Sequence, residues 1–265
     1  MPFKFRSLEP QSLTPILSPV EMPWQLVFFL VRRIMSSRSH SSEMRNMKIL
    51  ALSDQLVEQL YCPSVRERFG DVGLVLGCGD LPQYYLDYIV SMLNVPLSLV
   101  PGNHDQSIDW PDSGQDPQES HDAVARRGSP NIDGTVVKEQ GLLLAGLGGS
   151  IRYRPGGVNQ YTQAEMSRRV LALAPQLYWN RMRYGRFLDI LITHAPPRGI
   201  HDAQDPAHVG FEAFNRFIAR FRPRYLLHGH SHLYRRRAVA ITQVGPTSVI
   251  NVYPYRVIEV DTIHG

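Results

Sequence analysis

The chain has 265 residues, 43% of them apolar and 20% charged, proportions that suit a globular core and exclude disorder as the whole answer. No apolar run approaches the roughly 20 residues of a membrane span; the longest near the start, Trp24 to Val31, ends at Arg32 and Arg33. The formal charge of +4 raises nucleic-acid binding as a first question, to be judged by where the charges lie.

Residues 1–46 hold scattered prolines and a Ser/Arg-rich stretch from Ser36 to Arg45, with no helical or alternating period. They are expected to be a poorly structured N-terminal extension, or to reflect a start codon assigned upstream of Met44 or Met47. Their basic residues (Lys4, Arg6, Arg32, Arg33, Arg38, Arg45) face only Glu9, Glu21 and Glu43, so the 219 residues that follow are left near +1. One domain is expected over residues 47–265. The pattern predicts strands over Ile49 to Ser53, Val72 to Gly77 and Leu97 to Val100, with a helix from Pro82 to Leu93 between the last two. A long polar insertion, Gln106 to Asp133, follows. Val136 to Glu139 and Leu142 to Leu147 form a hairpin, and Thr162 to Leu173 a helix with Thr162 and Glu165 as its capping box. A strand (Ile190 to Thr193), a helix (Phe211 to Phe221) and a strand (Tyr225 to His228) come next. The end is strand: Arg237 to Gln243, Thr247 to Val252 and Arg256 to Asp261. This alternation argues for an α/β fold with mixed sheets. Cys62 and Cys78 are too few for a disulfide framework or a Cys-rich zinc site, so a reducing, cytoplasmic setting is the expectation.

Metal-binding residue types gather after the strands. Asp54 follows the first, Asp80 the second, Gly102-Asn103-His104-Asp105 the third; His194 and His228-Gly229-His230-Ser231-His232 follow two later ones. In open α/β sheets ligands collect outside the carboxyl ends of strands. Alone, each piece has a plainer meaning as a cap, a turn or a solvated histidine. Together they outweigh it, since five of the chain's ten histidines fall here. Asp, Asn and His without thiolate suit borderline-hard divalent ions: Mn, Fe, Zn or Ni. A carboxylate such as Asp80 can bridge two ions, which activate water and clamp a phosphoryl group. His104 is placed to act as general acid, with Asp105 orienting its ring.

These strings resemble the signature of the calcineurin-like metallophosphoesterases, in that family's order and across residues 54 to 232. The resemblance implies a four-layer α/β/β/α sandwich of two mixed β-sheets flanked by helices, with a dinuclear metal centre. It implies hydrolysis of a phosphomonoester or phosphodiester by metal-activated hydroxide. By position, Asp54, Asp80 and His232 would bind the first metal, and Asp80, Asn103, His194 and His230 the second; His104 would touch the phosphate. One departure is Leu56, where the family usually carries a histidine, which implies a weaker first site. Tyr84 and Glu58 are the nearest stand-ins, though packing of a helix face is the better reading for Tyr84 and plain solvation for Glu58.

The expected partner is a small phosphoester, with Asn103, Arg198, His201 and His208 as substrate contacts; for the last three, a solvent-exposed loop capping the Phe211 helix is an equal alternative. Gly148 to Arg152 is a Gly-rich loop that could approach the site, and Arg235-Arg236-Arg237 reads first as a charged strand edge, with steering of anions as the other reading. Two alternatives stay open: a nuclease or repair phosphodiesterase on the same fold, against which the near-neutral domain argues, and a catalytically degenerate interaction module, for which the retromer subunit that resembles this fold is the precedent. No membrane partner is expected.

Overall fold

Alternation of apolar side chains assigns each strand to its layers. Strand β1 (Met44–Leu52) turns Ile49 and Ala51 to one side and Leu50 and Leu52 to the other, all fully buried. Strands β5 (Leu142–Leu147) and β8 (Ile190–Thr193) do the same, with Leu142, Leu144, Ile190 and Ile192 on one face and Leu143, Ala145, Leu147 and Leu191 on the other. Strands apolar on both faces need cover on both, and that requirement produces four layers. The computed structural model describes residues 44–105, 131–232 and 240–263, all within the unit Glu43–Gly265.

The smaller sheet has the order β12 (Tyr255–Ile263), β1, β2 (Val72–Gly77), β3 (Leu97–Leu99). Strands β1, β2 and β3 run parallel and β12 antiparallel to β1. The larger sheet has the order β10 (Ile241–Val244), β11 (Thr247–Asn251), β9 (Tyr225–His228), β8, β5, β4 (Val136–Glu139). Its centre, from β11 to β5, is parallel and both edges are antiparallel. Between the sheets lies one core cluster, including Ile49, Leu74, Leu76, Leu144, Ile192 and Leu227. Helix α1 (Val65–Phe69) and helix α2 (Gln83–Leu93) cover the smaller sheet, α2 through Tyr85, Leu86 and Ile89. Helices α3 (Gln163–Tyr184) and α4 (Glu212–Phe221) cover the larger one through Met166, Leu173, Leu177, Phe214, Phe217 and Phe221. The fold is thus the expected four-layer α/β/β/α sandwich of two mixed sheets.

The differences from the sequence reading have physical reasons. Strand β1 opens at Met44 because Met44 pairs with Ile263 across the edge. Pro82 stands before α2 as its cap, in an extended conformation, with no place in the first turn. Helix α3 has the expected capping box, Thr162 accepting from the Glu165 amide at 3.2 Å and donating its own amide to Glu165 at 2.7 Å. It runs through Pro175 to Tyr184, since burial of Leu173 and Leu177 on either side outweighs the cost of a proline, about 3 kcal/mol. Helix α1, the 3-10 turn Glu58–Leu60 and the pair β6 (Ser150–Ile151) and β7 (Gln160–Tyr161) are too short for a period to reveal. The insertion over 106–130, the Arg235-Arg236-Arg237 run and the extension over 1–43 lie outside the described residues. Among the described residues no helix is long and apolar enough to cross a membrane.

Phe217 is fully buried between α4 and the larger sheet. Phe217→Ala should lower unfolding free energy by about 3–5 kcal/mol, read from urea denaturation; a loss near zero would contradict this packing.

Candidate metal centre

The parallel strands point their carboxyl ends toward one place. Asp54 follows β1, Asp80 follows β2, the Gly102-Asn103-His104-Asp105 loop follows β3, His194 follows β8, and His230 follows β9. Ligand-type atoms of Asp54, Asp80, His194 and His230 lie within 4.8 Å of one another. Asn103 joins them, its Oδ1 lying 3.0 Å from His194 Nε2. His232 Nε2 lies 3.5 Å from Asp54 Oδ1, and its ring stacks on Tyr253 at 4.7 Å between centroids. All six residues expected to bind metal are brought together.

The turns that gather them are strained. Asp54, Asp80 and His230 have φ of 63°, 57° and 62°, a region that costs a non-glycine residue about 1–3 kcal/mol and persists only where neighbours impose it. Here the neighbours are hydrogen bonds. The Asp54 amide donates to the Gly79 carbonyl at 3.1 Å, the His230 amide to Asp54 Oδ2 at 2.9 Å, and the Asp80 amide to Asp105 Oδ2 at 2.8 Å. Close approach also demands glycine. A Cβ on Gly102 would overlap the Asp80 carboxylate, and one on Gly79 would lie 2.6 Å from both the Gly102 nitrogen and His194 Nδ1.

Each central histidine is oriented by a carbonyl. His194 Nδ1 lies 2.8 Å from the Cys78 carbonyl, so it carries a proton and Nε2 faces Asp80 Oδ2 at 3.3 Å. His230 Nε2 donates to the Ala207 carbonyl at 2.8 Å, which leaves Nδ1 with the lone pair. Ligated histidines are held in this way. With two carboxylates, an amide oxygen and imidazoles as donors, the residues present fit a borderline-hard divalent ion.

Electrostatics agree with that demand for positive charge. Burial alone would keep His194 neutral, but the charge and hydrogen bond of Asp80, with Asp54 behind them, raise its pKa to about 9. Burial likewise opposes ionisation of Asp80, and His194 overcomes it, holding the carboxyl below its usual range. Asp54 is also lowered, against its burial, by the His232 hydrogen bond and the His194 charge. Burial and the neighbouring His194 charge push His230 down to about 4, so it is neutral at pH 7.

The remaining predicted residues divide. His104 is exposed beside the cluster, and its amide donates to Asp80 Oδ1 at 2.8 Å. Asp105 has a different task from orienting the His104 ring: its Oδ2 accepts from the Asp80 and Gly102 amides at 2.8 and 2.7 Å, clasping two ligand loops. His208 stands at the rim, its ring 4.9 Å from that of His230 and its Nδ1 2.7 Å from Asp205 Oδ1. His201 is turned inward, against the expectation of substrate contact. Its two ring nitrogens meet His228 Nε2 at 2.9 Å and Thr242 Oγ1 at 2.8 Å, because its own φ of 59° folds the loop back onto β9 and β10. The Arg198 side chain is exposed, and it is the Arg198 backbone that is engaged, through Phe211 and Asn215. Leu56 packs into the apolar cluster under the smaller sheet. Glu58 is exposed. Tyr84 is 58% exposed and meets Tyr61 edge-on, so neither stand-in is turned into the cluster.

Sequence reasoning missed the supports. Asn251 donates to the Ser231 carbonyl at 2.7 Å, and Tyr253 donates its hydroxyl proton to Gln55 Oε1 at 2.7 Å. Asn159 donates to the Gly102 carbonyl at 2.9 Å, and the Gly149 amide to the Pro101 carbonyl at 2.8 Å. The Gly-rich loop does approach, as a brace for the Asn103 loop. Backbone carbonyls such as those of Cys78 and Ala207 leave no mark in residue type.

The sign of the pH dependence follows. Because folding raises the His194 pKa from its ordinary 6.5 to about 9, its contribution is fully present below about pH 6.5 and is lost as pH rises through about 9. The chelator-treated protein should therefore lose thermal midpoint between pH 6.5 and 9, and His194→Gln should remove most of that slope. An equal slope in the variant would contradict the assignment.

Residues 55–234 match the family described as calcineurin-like phosphoesterase. The chain is 28% identical to uncharacterized protein MJ1162 of Methanocaldococcus jannaschii, over 82% of this chain and 92% of the relative. One solved structure, 14% identical, is similar over 82% of this chain and 99% of its own with a TM-score of 0.51, which shows the fold. The structure of TT1561 of Thermus thermophilus, 15% identical, covers 78% of this chain and 89% of its own with a TM-score of 0.49. With the family match spanning well over half of the chain, the chain belongs to the calcineurin-like phosphoesterase family.

Proposed function

We propose that the protein hydrolyses a small phosphomonoester or phosphodiester with the help of divalent ions, Mn, Fe, Zn or Ni. The observation that carries this reading is the convergence of Asp54, Asp80, His194 and His230 within 4.8 Å. Asp80, Asn103, His194 and His230 would hold one ion; Asp54, Asp80 and His232 would hold the other, more weakly because Leu56 offers no ligand. When bound, such ions lower the pKa of water and neutralise charge on a phosphoryl group.

The protein's own share is orientation and proton transfer. The Asp80 and Gly102 amides both donate to Asp105, so the loops carrying Asp80 and Asn103 are held in mutual register. His104 is tied by its backbone to Asp80 but keeps an exposed ring. That ring is the group placed to protonate the leaving oxygen. His208, at the rim beside His230, is placed to meet a substrate oxygen.

Turnover of p-nitrophenyl phosphate and bis-p-nitrophenyl phosphate should appear with Mn²⁺, Ni²⁺ or Zn²⁺ and vanish with EDTA. His104→Ala should lower kcat by roughly 10²–10⁴-fold, the usual range for a general acid, with Mn²⁺ affinity retained. Absence of turnover on both esters with every ion would sink the enzymatic reading.

A further inference from the structure

We infer that Tyr153 is a positioning residue for Asn103, holding its amide so that the carbonyl oxygen is presented to the metal centre. The inference rests on the proposed role of Asn103 as a ligand. Asn103 is 3% exposed, so its amide N–H groups depend on protein acceptors. Its two ends are engaged differently: Oδ1 lies 3.0 Å from His194 Nε2, and Nδ2 donates to Tyr153 Oη at 3.4 Å. Among the described residues, Tyr153 is the acceptor met by that amide nitrogen. An amide anchored at its nitrogen cannot swing its oxygen out of the centre without giving up the bond.

Tyr153 reaches Asn103 from a loop fastened to the loop that Asn103 occupies. The Gly149 amide donates to Pro101 at 2.8 Å, and Asn159 donates to Gly102 at 2.9 Å and to the Asp105 carbonyl at 3.4 Å. Between these anchors, the Tyr153 amide donates to Gln160 Oε1 at 3.4 Å. Arg152, next to it, is fixed by Glu165 at 2.9 Å and by the Gln160 carbonyl at 3.1 Å. The hydroxyl is therefore delivered by a segment anchored on both sides, by the Gly149 backbone and by the Asn159 side chain. Tyr153 also lines an open pocket of about 590 Å³ formed by Arg152 to Gly157.

Calorimetric titration with Mn²⁺ of the full chain and three variants tests this. Tyr153→Phe, which keeps the ring and removes the acceptor, should weaken Mn²⁺ binding about tenfold, the lower end of what loss of a ligand's supporting partner costs. The same change in an Asn103→Ala background should cost less than about twofold, since the group it positions is gone. Turnover of Tyr153→Phe on p-nitrophenyl phosphate should recover toward wild type at saturating Mn²⁺, which a general loss of structure would not allow. Unchanged Mn²⁺ affinity in Tyr153→Phe, or an equal loss in the Asn103→Ala background, would overturn the inference. If Asn103→Ala alone leaves Mn²⁺ affinity unchanged, it is the ligand role that fails.

Discussion

The structure depends on bringing Asp54 and Asp80 together where water is scarce. Two carboxylates in one partly buried cluster repel each other and lose hydration, and each remains ionised only because positive charge lies within reach. Among the protein groups, His194 supplies that charge, fully buried and 3.3 Å from Asp80. The proton it holds occupies the role that a divalent cation fills better, with a second charge and more coordination positions. Much else in the site follows from this concentration of negative charge at the meeting point of two sheets.

The strain at Asp54, Asp80 and His230 has the same origin. Three residues in left-handed conformations, at the ends of three different strands, aim their side chains at one point. The cost is offset by hydrogen bonds that cross between strand ends: the Asp54 amide to the Gly79 carbonyl, the His230 amide to the Asp54 carboxylate, and the Asp80 and Gly102 amides to the Asp105 carboxylate. The second level, carbonyl acceptors on His194 and His230 and the Tyr153 hydroxyl on Asn103, orients the ligand atoms themselves. Position is thus set by the sheets, and orientation by neighbours distant in sequence.

That division explains what was legible from the chain alone. The convergence of Asp54, Asp80, Asn103, His194, His230 and His232 could be expected because each lies in a loop that follows an apolar strand. The layers were readable for a similar reason: Ile49 to Leu52 and Leu142 to Leu147 are apolar on both faces, which demands cover on both. Tyr153, Asn159 and Tyr253 were not, because their roles arise from contacts across 50 to 198 positions and their residue types are common in loops. His201 misled in the opposite direction. It lies in a polar loop after a ligand strand, yet its ring is spent on His228 and Thr242. Pro175 misled locally, since a helix long enough to bury Leu173 and Leu177 tolerates a proline between them.

The central claim is that this cluster is a cation site organised by the fold. Crystals grown with Mn²⁺ and measured at the manganese absorption edge test it most directly. The account predicts an anomalous peak within coordinating distance of Asp80, Asn103, His194 and His230, with His194 Nε2 turned from Asp80 to the ion. A peak elsewhere, or none with the His194–Asp80 contact intact, would contradict it.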